Sequence, residues 1–326
     1  MAKRCVKVAV LSGGRSSEHE VSLRSGEAVA SGLAQAGHEP LRVTVSREGA
    51  WSREGEEVGL VPGGGLLGAD VAFPALHGPF GEDGSVQGLL EWLDLPYVGS
   101  DVLASAVCMD KLTLKRLFAQ AGLPQVDFVA AGEPGWRERC EEMDTPLWVK
   151  PSRLGSSVGI TKVASLAELD AAVELARRHD PRVIVEAHAE GREVECSLLG
   201  NEGPEASLPG QVVAHGDWYD YETKYSDGGM ELLVPAPIPP EQTDLVRELA
   251  VTAFELGGCT GLARCDFFAL PDGTVLVNEI NTMPGFTQTS VYAKLWQASG
   301  LEYPSLCDRL VDLAVERHHR ARSYEF

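Results

Sequence analysis

The sequence predicts an α/β chain that opens as a doubly wound parallel-sheet domain and continues as α+β. Three observations carry this. The apolar run Val6–Leu11 leads through Ser12-Gly13-Gly14 into residues at helical spacing, Val21, Val29 and Leu33, which end at Gly37. Strand, glycine turn and helix in that order begin a doubly wound domain. Strand-like and helix-like segments then alternate along the chain. Late in it, the β-rich runs Ala263–Leu270 and Thr274–Asn281 flank Pro271-Asp272-Gly273, and Asp-Gly between such runs signals a hairpin.

Bulk properties narrow the function classes. At 326 residues the chain has room for two or three domains. Its formal charge of −20 argues against an extended nucleic-acid surface, though local groups can still bind an anion. No apolar run reaches membrane-spanning length, and Met1–Val8 passes directly into a strand without a signal-peptide pattern. Seven scattered cysteines without a C-x-x-C pair fit reduced thiols in a cytoplasmic protein.

The first glycine turn lacks G-x-G-x-x-G, so it does not indicate a dinucleotide site. Glu18 stands before the first helix, where a carboxylate complements the helix dipole or else takes a binding role. The literal G-x-G-x-x-G at Gly63–Gly68 precedes a strand, Asp70–Leu76, and so reads as a loop. That strand runs into His77-Gly78-Pro79-Phe80-Gly81-Glu82-Asp83-Gly84, a place where open α/β sheets hold ligands. His77 reads equally well there as a ligand contact or as a loop histidine with a structural hydrogen bond. Helices are expected over Val86–Leu93 and Ser100–Met109, with a short strand at Tyr97-Val98 between them. The basic helix Leu112–Ala121, stopped by Gly122-Leu123-Pro124, marks a first boundary near Lys111.

Strands follow at Phe128–Ala130 and Leu147–Lys150, then a loop rich in glycine and serine, Ser152–Gly159, and another strand at Ile160–Val163. Such loops offer backbone N–H groups to phosphate, and Lys150 adds charge. The loop contains G-x-S-x-G, but a nucleophile elbow needs a helix next, so a hydrolase is not indicated. A helix over Ser165–His179 and strands Arg182–Glu186 and Val194–Leu199 come next. Trp218–Gly229 is aromatic and charged with no period, as in loops that close over a substrate. Helices Thr243–Leu256 and Ser305–Arg320 complete the expected elements.

The hairpin carries the first chemical inference. With Asp272-Gly273 as a two-residue turn, Asp266 faces Glu279 and Arg264 faces Asn281, all on one side. Opposed carboxylates have Cβ atoms about 5 Å apart and repel. A divalent cation relieves this, and two carboxylates with an amide oxygen suit Mg²⁺; the alternative is an exposed polar strand face.

Taken together these residues resemble the D-alanine–D-alanine ligase family of the ATP-grasp superfamily, over nearly the whole chain. The resemblance rests on Gly13-Gly14 with Glu18-His19-Glu20-Val21-Ser22, on His77-Gly78 with Gly81-Glu82-Asp83-Gly84, on Met109-Asp110-Lys111, and on Val149-Lys150-Pro151 with Gly155–Gly159. It continues through Gly191-Arg192-Glu193, Tyr219–Glu222 with Lys224-Tyr225, Arg264 with Asp266-Phe267-Phe268, and Asn278–Thr282 with Pro284-Gly285-Phe286-Thr287.

The resemblance implies a three-domain ATP-grasp architecture, divided here at 1–110, 111–189 and 190–326. It implies that ATP activates one D-alanine as an acyl phosphate and that the amine of a second D-alanine displaces phosphate. Asp266, Glu279 and Asn281 match ligands of two Mg²⁺ (or Mn²⁺) ions, with a monovalent cation such as K⁺ in some members. Lys111, Lys150 and Lys224 match phosphate ligands, and Glu186 and Glu193 match the adenosine site. Glu18, held with Ser156 and Tyr225, matches the counter-ion of the first D-alanine, with His77 nearby. Arg264 and Gly285 match the oxyanion donors, and Ser290 and Val291 the cradle of the second carboxylate. Tyr225 favours an amine as the second nucleophile, while His215-Gly216-Asp217-Trp218 departs from the usual entry to that loop. A cytoplasmic homodimer making peptidoglycan precursors is implied. The alternative is a relative joining D-alanine to D-lactate or D-serine.

Overall fold

The structure is a computed structural model that describes residues 5–214 and 230–324. Among the described residues the strands form three sheets. The first is built from β1 (Lys7–Gly13), β2 (Glu39–Val45), β3 (Trp51–Arg53), β4 (Glu56–Glu57) and β5 (Val71–Pro74), in the order β4-β3-β2-β1-β5. Its centre is parallel, since β1 lies between β2 and β5. The edge strands β3 and β4 pair antiparallel, an addition the sequence pattern did not show. Helix α1 (His19–Ala36) ends on Gly37, whose φ of 94° suits glycine and turns the chain back into β2. Helices α2 (Ser85–Trp92) and α3 (Val102–Met109) follow β5. Where a short strand was expected, Tyr97 makes a single parallel bridge to Ala72.

The second sheet is antiparallel, in the order β6-β9-β7-β8: β6 (Phe128–Ala130), β7 (Leu147–Pro151), β8 (Thr161–Val163) and β9 (Val183–Ala187). Helices α4 (Lys111–Ala121), α5 (Trp136–Glu142) and α6 (Leu169–Arg177) accompany it. A 3₁₀ turn at Leu166–Glu168 precedes α6, so the helix expected from Ser165 starts late. No helix opens after Gly155–Gly159; β8 follows, which removes the nucleophile-elbow geometry.

The third sheet runs β13-β12-β10-β14-β15, with β11 paired to β10. Its strands are β10 (Arg192–Gly200), β11 (Glu205–Ala206), β12 (Gly210–Ala214), β13 (Met230–Leu233), β14 (Gly261–Ala269) and β15 (Val275–Asn281). Helix α7 (Pro240–Leu256) covers its outer face through Val246, Ala250 and Phe254, which join Val194, Cys196, Cys265 and Val277 in one core. The last helices, α8 (Val291–Ala298) and α9 (Tyr303–Ala321), return to the first sheet. Tyr292, Trp296, Leu306 and Leu310 share a core with Val8, Val10, Val71 and Phe73. The third sheet and the first are therefore tied together by the end of the chain.

The hairpin differs from expectation at its turn. Leu270 N–H donates to the Thr274 carbonyl, so the loop holds Pro271, Asp272 and Gly273 rather than two residues. That shift would place Asp266 opposite Asn278. A bulge between Asp266 and Phe267 on the ladder absorbs one residue, and Asp266 faces Glu279 after all, with Arg264 facing Asn281. The bulge also leaves the consecutive residues Asn278 and Glu279 both partly exposed to the same cleft.

Candidate active site

A cleft of about 830 Å³ lies between the three sheets, lined by Glu18, Lys111, Lys150, Ser156, Glu193, Arg264, Asp266 and Glu279 among others. Strand alternation builds its floor, since residues 264, 266 and 268 of β14 turn towards it while 263 and 265 are buried in the core. Arg264 grips Asp266 through two bonds of 2.7 Å, and its Nε lies 2.8 Å from Glu195. Asn281 Nδ2 donates to Asp266 at 3.0 Å. Glu195, Asp266 and Glu279 stand abreast on β10, β14 and β15.

Lysines face this floor. Lys111, at the start of α4, lies 3.2 Å from Glu279 and donates to the Leu154 carbonyl at 3.1 Å. Lys150 reaches Glu186 at 2.5 Å, and Lys115 reaches its other oxygen at 3.0 Å. Burial alone would raise the Glu186 carboxyl, but the two ammonium groups outweigh it and hold it at about 2. Lys115 is 1% exposed, and burial lowers its ammonium. Further along the wall, the Trp148 indole N–H donates to His188 Nδ1 at 3.1 Å.

At the opposite end, Ser156 Oγ donates to Glu18 at 2.5 Å, with Ser156 held at a φ of 55°. Gly78 lies so close that a Cβ there would sit 2.6 Å from Glu18 Oε2, and its φ of 72° also calls for glycine. Its N–H donates to Glu82 at 2.7 Å. Desolvation and the Glu18 charge push the Glu82 carboxyl up to about 8. His77 is buried, with Nδ1 on the Met283 carbonyl at 3.0 Å and Nε2 on Ser25 Oγ at 2.8 Å. A carbonyl only accepts, so Nδ1 carries the hydrogen and neutral Nε2 accepts from the hydroxyl. Burial lowers its pKa, consistent with a neutral ring. The structural hydrogen bonds left open for His77 therefore occupy both nitrogens, while its ring lines the cleft.

Near Arg264, Gly285 borders the cleft and Ser290 starts α8. Ser290 Oγ accepts from Thr287 N–H at 3.0 Å, and the N–H groups that follow, beginning at Val291, form a helix N-terminus suited to a carboxylate. Lys224 and Tyr225, with the whole Trp218–Gly229 segment, lie outside the described residues.

The comparisons with known proteins agree along the chain. The family model "D-ala D-ala ligase N-terminus" matches residues 7–62 and 61–100, and "D-ala D-ala ligase C-terminus" matches residues 117–312. A D-alanine–D-alanine ligase of Solibacter usitatus is 45% identical over 98% of this chain and 99% of its own. The chain belongs to the D-alanine–D-alanine ligase family. The ligase of Deinococcus radiodurans is 46% identical over 95% of this chain and 98% of its own. Among solved structures, the D-alanine–D-alanine ligase of Coxiella burnetii superposes with a TM-score of 0.88 at 35% identity, covering 98% and 97% of the two chains. The D-Ala:D-Ser ligase VanG of Enterococcus faecalis gives 0.86 at 34% identity over 95% and 100%.

D-alanine–D-alanine ligases use ATP and a divalent metal. The donor set here fits such a metal: two carboxylate residues and an amide side chain share one floor, where Arg264 and Lys111 meet the opposed carboxylates. The sequence missed several residues of this ligase-family cleft. Glu195 was legible, since alternation places it on the face of Glu193 and beside Asp266. Lys115 lies four residues after Lys111, on the same side of a helix. Glu82 lies in the His77–Gly84 loop already singled out, and alternation along β7 puts Trp148 on the face of Lys150, whereas nothing local marked His188.

Proposed function

We propose that the chain joins two D-alanine molecules to D-alanyl-D-alanine through D-alanyl phosphate, converting ATP to ADP and phosphate, for peptidoglycan precursor synthesis. The observation that carries this reading is the union, in one cleft, of the Glu18–Ser156 pair with the Asp266–Glu279–Asn281 floor and its lysines. Glu18 binds the ammonium of the first D-alanine. Its carboxylate then points towards the floor, where phosphoryl transfer needs positioning and charge neutralisation. Lys111, Lys150 and Lys224 hold phosphates, while Glu186 and Glu193 take the adenosine part. Asp266, Glu279 and Asn281 would hold Mg²⁺ or Mn²⁺, which draws charge from phosphate oxygens.

The second amine attacks the acyl carbonyl, and a tetrahedral oxyanion develops. Arg264 and the Gly285 N–H donate to it; such a donor contributes roughly 3–4 kcal/mol to lowering a barrier. Ser290 and Val291, at the start of α8, hold the carboxylate of the second D-alanine. His77 and Tyr225 support the Glu18 end.

Finer parts of the reading rest on the family resemblance: two metal ions, a K⁺-like cation, a homodimer and a cytoplasmic location. No helix among the described residues is long and apolar enough to cross a membrane. Domain boundaries at 110/111 and 189/190 are supported by the sheets, which occupy 7–74, 128–187 and 192–281 in turn.

Product analysis tests the proposal. Incubation with ATP, Mg²⁺ and D-alanine is expected to give the dipeptide with one ADP per bond. Adding D-lactate or D-serine near neutral pH should leave the dipeptide dominant. A dominant mixed product would replace this reading with the second one. The likeness to a D-Ala:D-Ser ligase favours the D-serine arm of that alternative.

A further inference from the structure

We propose that Asp110 is a positioning residue that sets Lys111 at the spacing from Lys150 that the phosphates require; this rests on the ATP reading above. Asp110 is 7% exposed and sits at the junction of α3 and α4. Its Oδ1 caps α4 by accepting from Thr113 N–H at 3.1 Å. A cap needs nothing more, yet the same oxygen accepts from Ser152 Oγ at 2.8 Å, and Oδ2 lies 3.2 Å from Arg182 Nε. One carboxylate thus joins the start of α4, the end of β7 and the start of β9.

Ser152 makes the junction specific. It is fully buried, and each of its polar atoms is used. Its carbonyl accepts from Lys111 N–H at 3.0 Å, and its N–H donates to the Arg182 carbonyl at 2.9 Å. Its hydroxyl donates to Asp110 and accepts from Leu112 N–H at 3.1 Å. Asp180 closes the other side, accepting from Arg153 N–H at 2.8 Å and Arg182 N–H at 3.0 Å. Met109, Lys111, Lys150 and Leu154 line the cleft, whereas Asp110 and Ser152 stand behind them. Lys111 then spans from this anchored backbone to the Leu154 carbonyl. Loosening Asp110 lets Lys111 move relative to Lys150 and the loop without touching either substrate.

The test measures Mg·ADP affinity by titration calorimetry, together with KM for ATP and for D-alanine. In Asp110→Ala, Mg·ADP is expected to bind on the order of tenfold more weakly, the worth of one charge-assisted hydrogen bond lost. KM for ATP should rise with it, while KM for D-alanine stays within about twofold, because Glu18 stands at the start of α1 and holds Ser156 by its own bond. Asp110→Asn keeps an acceptor for Thr113 and Ser152 and should recover most of the affinity. Ser152→Ala should weaken Mg·ADP in the same direction, and the double variant should be no weaker than Asp110→Ala alone.

A helix cap alone predicts something different, namely lower stability with nucleotide affinity unchanged. Wild-type Mg·ADP affinity in folded Asp110→Ala or in Ser152→Ala overturns the proposal. So does an equal rise of both KM values. Should Asp110→Ala not fold, Asp110→Asn and Ser152→Ala decide. Failure of the ligase reading itself would appear in the wild type, as nucleotide binding without dipeptide.

Discussion

Asp266 and Glu279 stand directly opposite each other on β14 and β15, and a one-residue bulge at that rung restores the register that the three-residue turn had shifted. Two carboxylates so placed repel. Arg264 holds one and Lys111 approaches the other, so the floor is balanced by cations from two different parts of the chain. Asp266 and Glu279 would hold a divalent cation, whose charge would take the place of Lys111 beside Glu279.

Glu279→Gln tests that exchange. Loss of an outer partner of a metal ligand already costs about 10–100-fold, so loss of a ligand's charge should lower kcat by at least about 100-fold. The far-ultraviolet circular dichroism should not change, because Glu279 is at the cleft surface. A steady-state assay over rising Mg²⁺ is the check: activity fully recovered at saturating metal would remove Glu279 from the ligand set.

The hairpin was legible because strand alternation and an Asp-Gly turn leave few arrangements. Its pairing of residue 266 with 279 was nevertheless reached by two compensating irregularities that the sequence does not announce: a longer turn and a bulge. The strand–glycine–helix opening was legible for the same local reason. The edge strands β3 and β4 were not, since Trp51–Arg53 and Glu56–Glu57 are too short to show a period. Lys115 and Glu186 show the deeper limit. Their pairing depends on α4 lying against β9, a relation between distant segments that no local pattern encodes.

Ser156→Ala should act on the amino-acid end alone. The hydroxyl bonds a carboxylate, a contact contributing roughly 1.5–3 kcal/mol, so KM for the first D-alanine should rise on the order of tenfold or more. Alanine keeps the Cβ, so the backbone at a φ of 55° is strained as before. KM for ATP should hardly move. Initial rates at varied D-alanine and ATP separate the two, and an unchanged D-alanine KM would detach Ser156 from that site.

Lys115→Met should act on stability first. Lys115 and Glu186 are 1% and 2% exposed, and removing one partner of a buried pair costs about 3–5 kcal/mol. Lys150 stays beside Glu186, which puts the expectation near the lower limit, about 3 kcal/mol. Urea unfolding followed by fluorescence measures it. A loss under about 1 kcal/mol would mean that Lys150 alone satisfies the carboxylate.

Glu82 gives a pH dependence with a definite sign. Desolvation and the Glu18 charge raise its carboxyl from 4.5 to about 8, so the folded state keeps a proton that the unfolded state has lost. A pKa raised on folding gives a contribution that is full below the unfolded value and declines as pH rises through the folded one. Between pH 4.5 and about 8, therefore, the wild type should lose stability that Glu82→Gln does not lose. Melting temperatures of both proteins, taken at intervals across that window in one ionic strength, give the difference directly. The gap should open in favour of the glutamine variant as pH rises and level off above about pH 8. Parallel curves would mean that Glu82 ionises freely, with the Gly78 N–H or solvent carrying its charge.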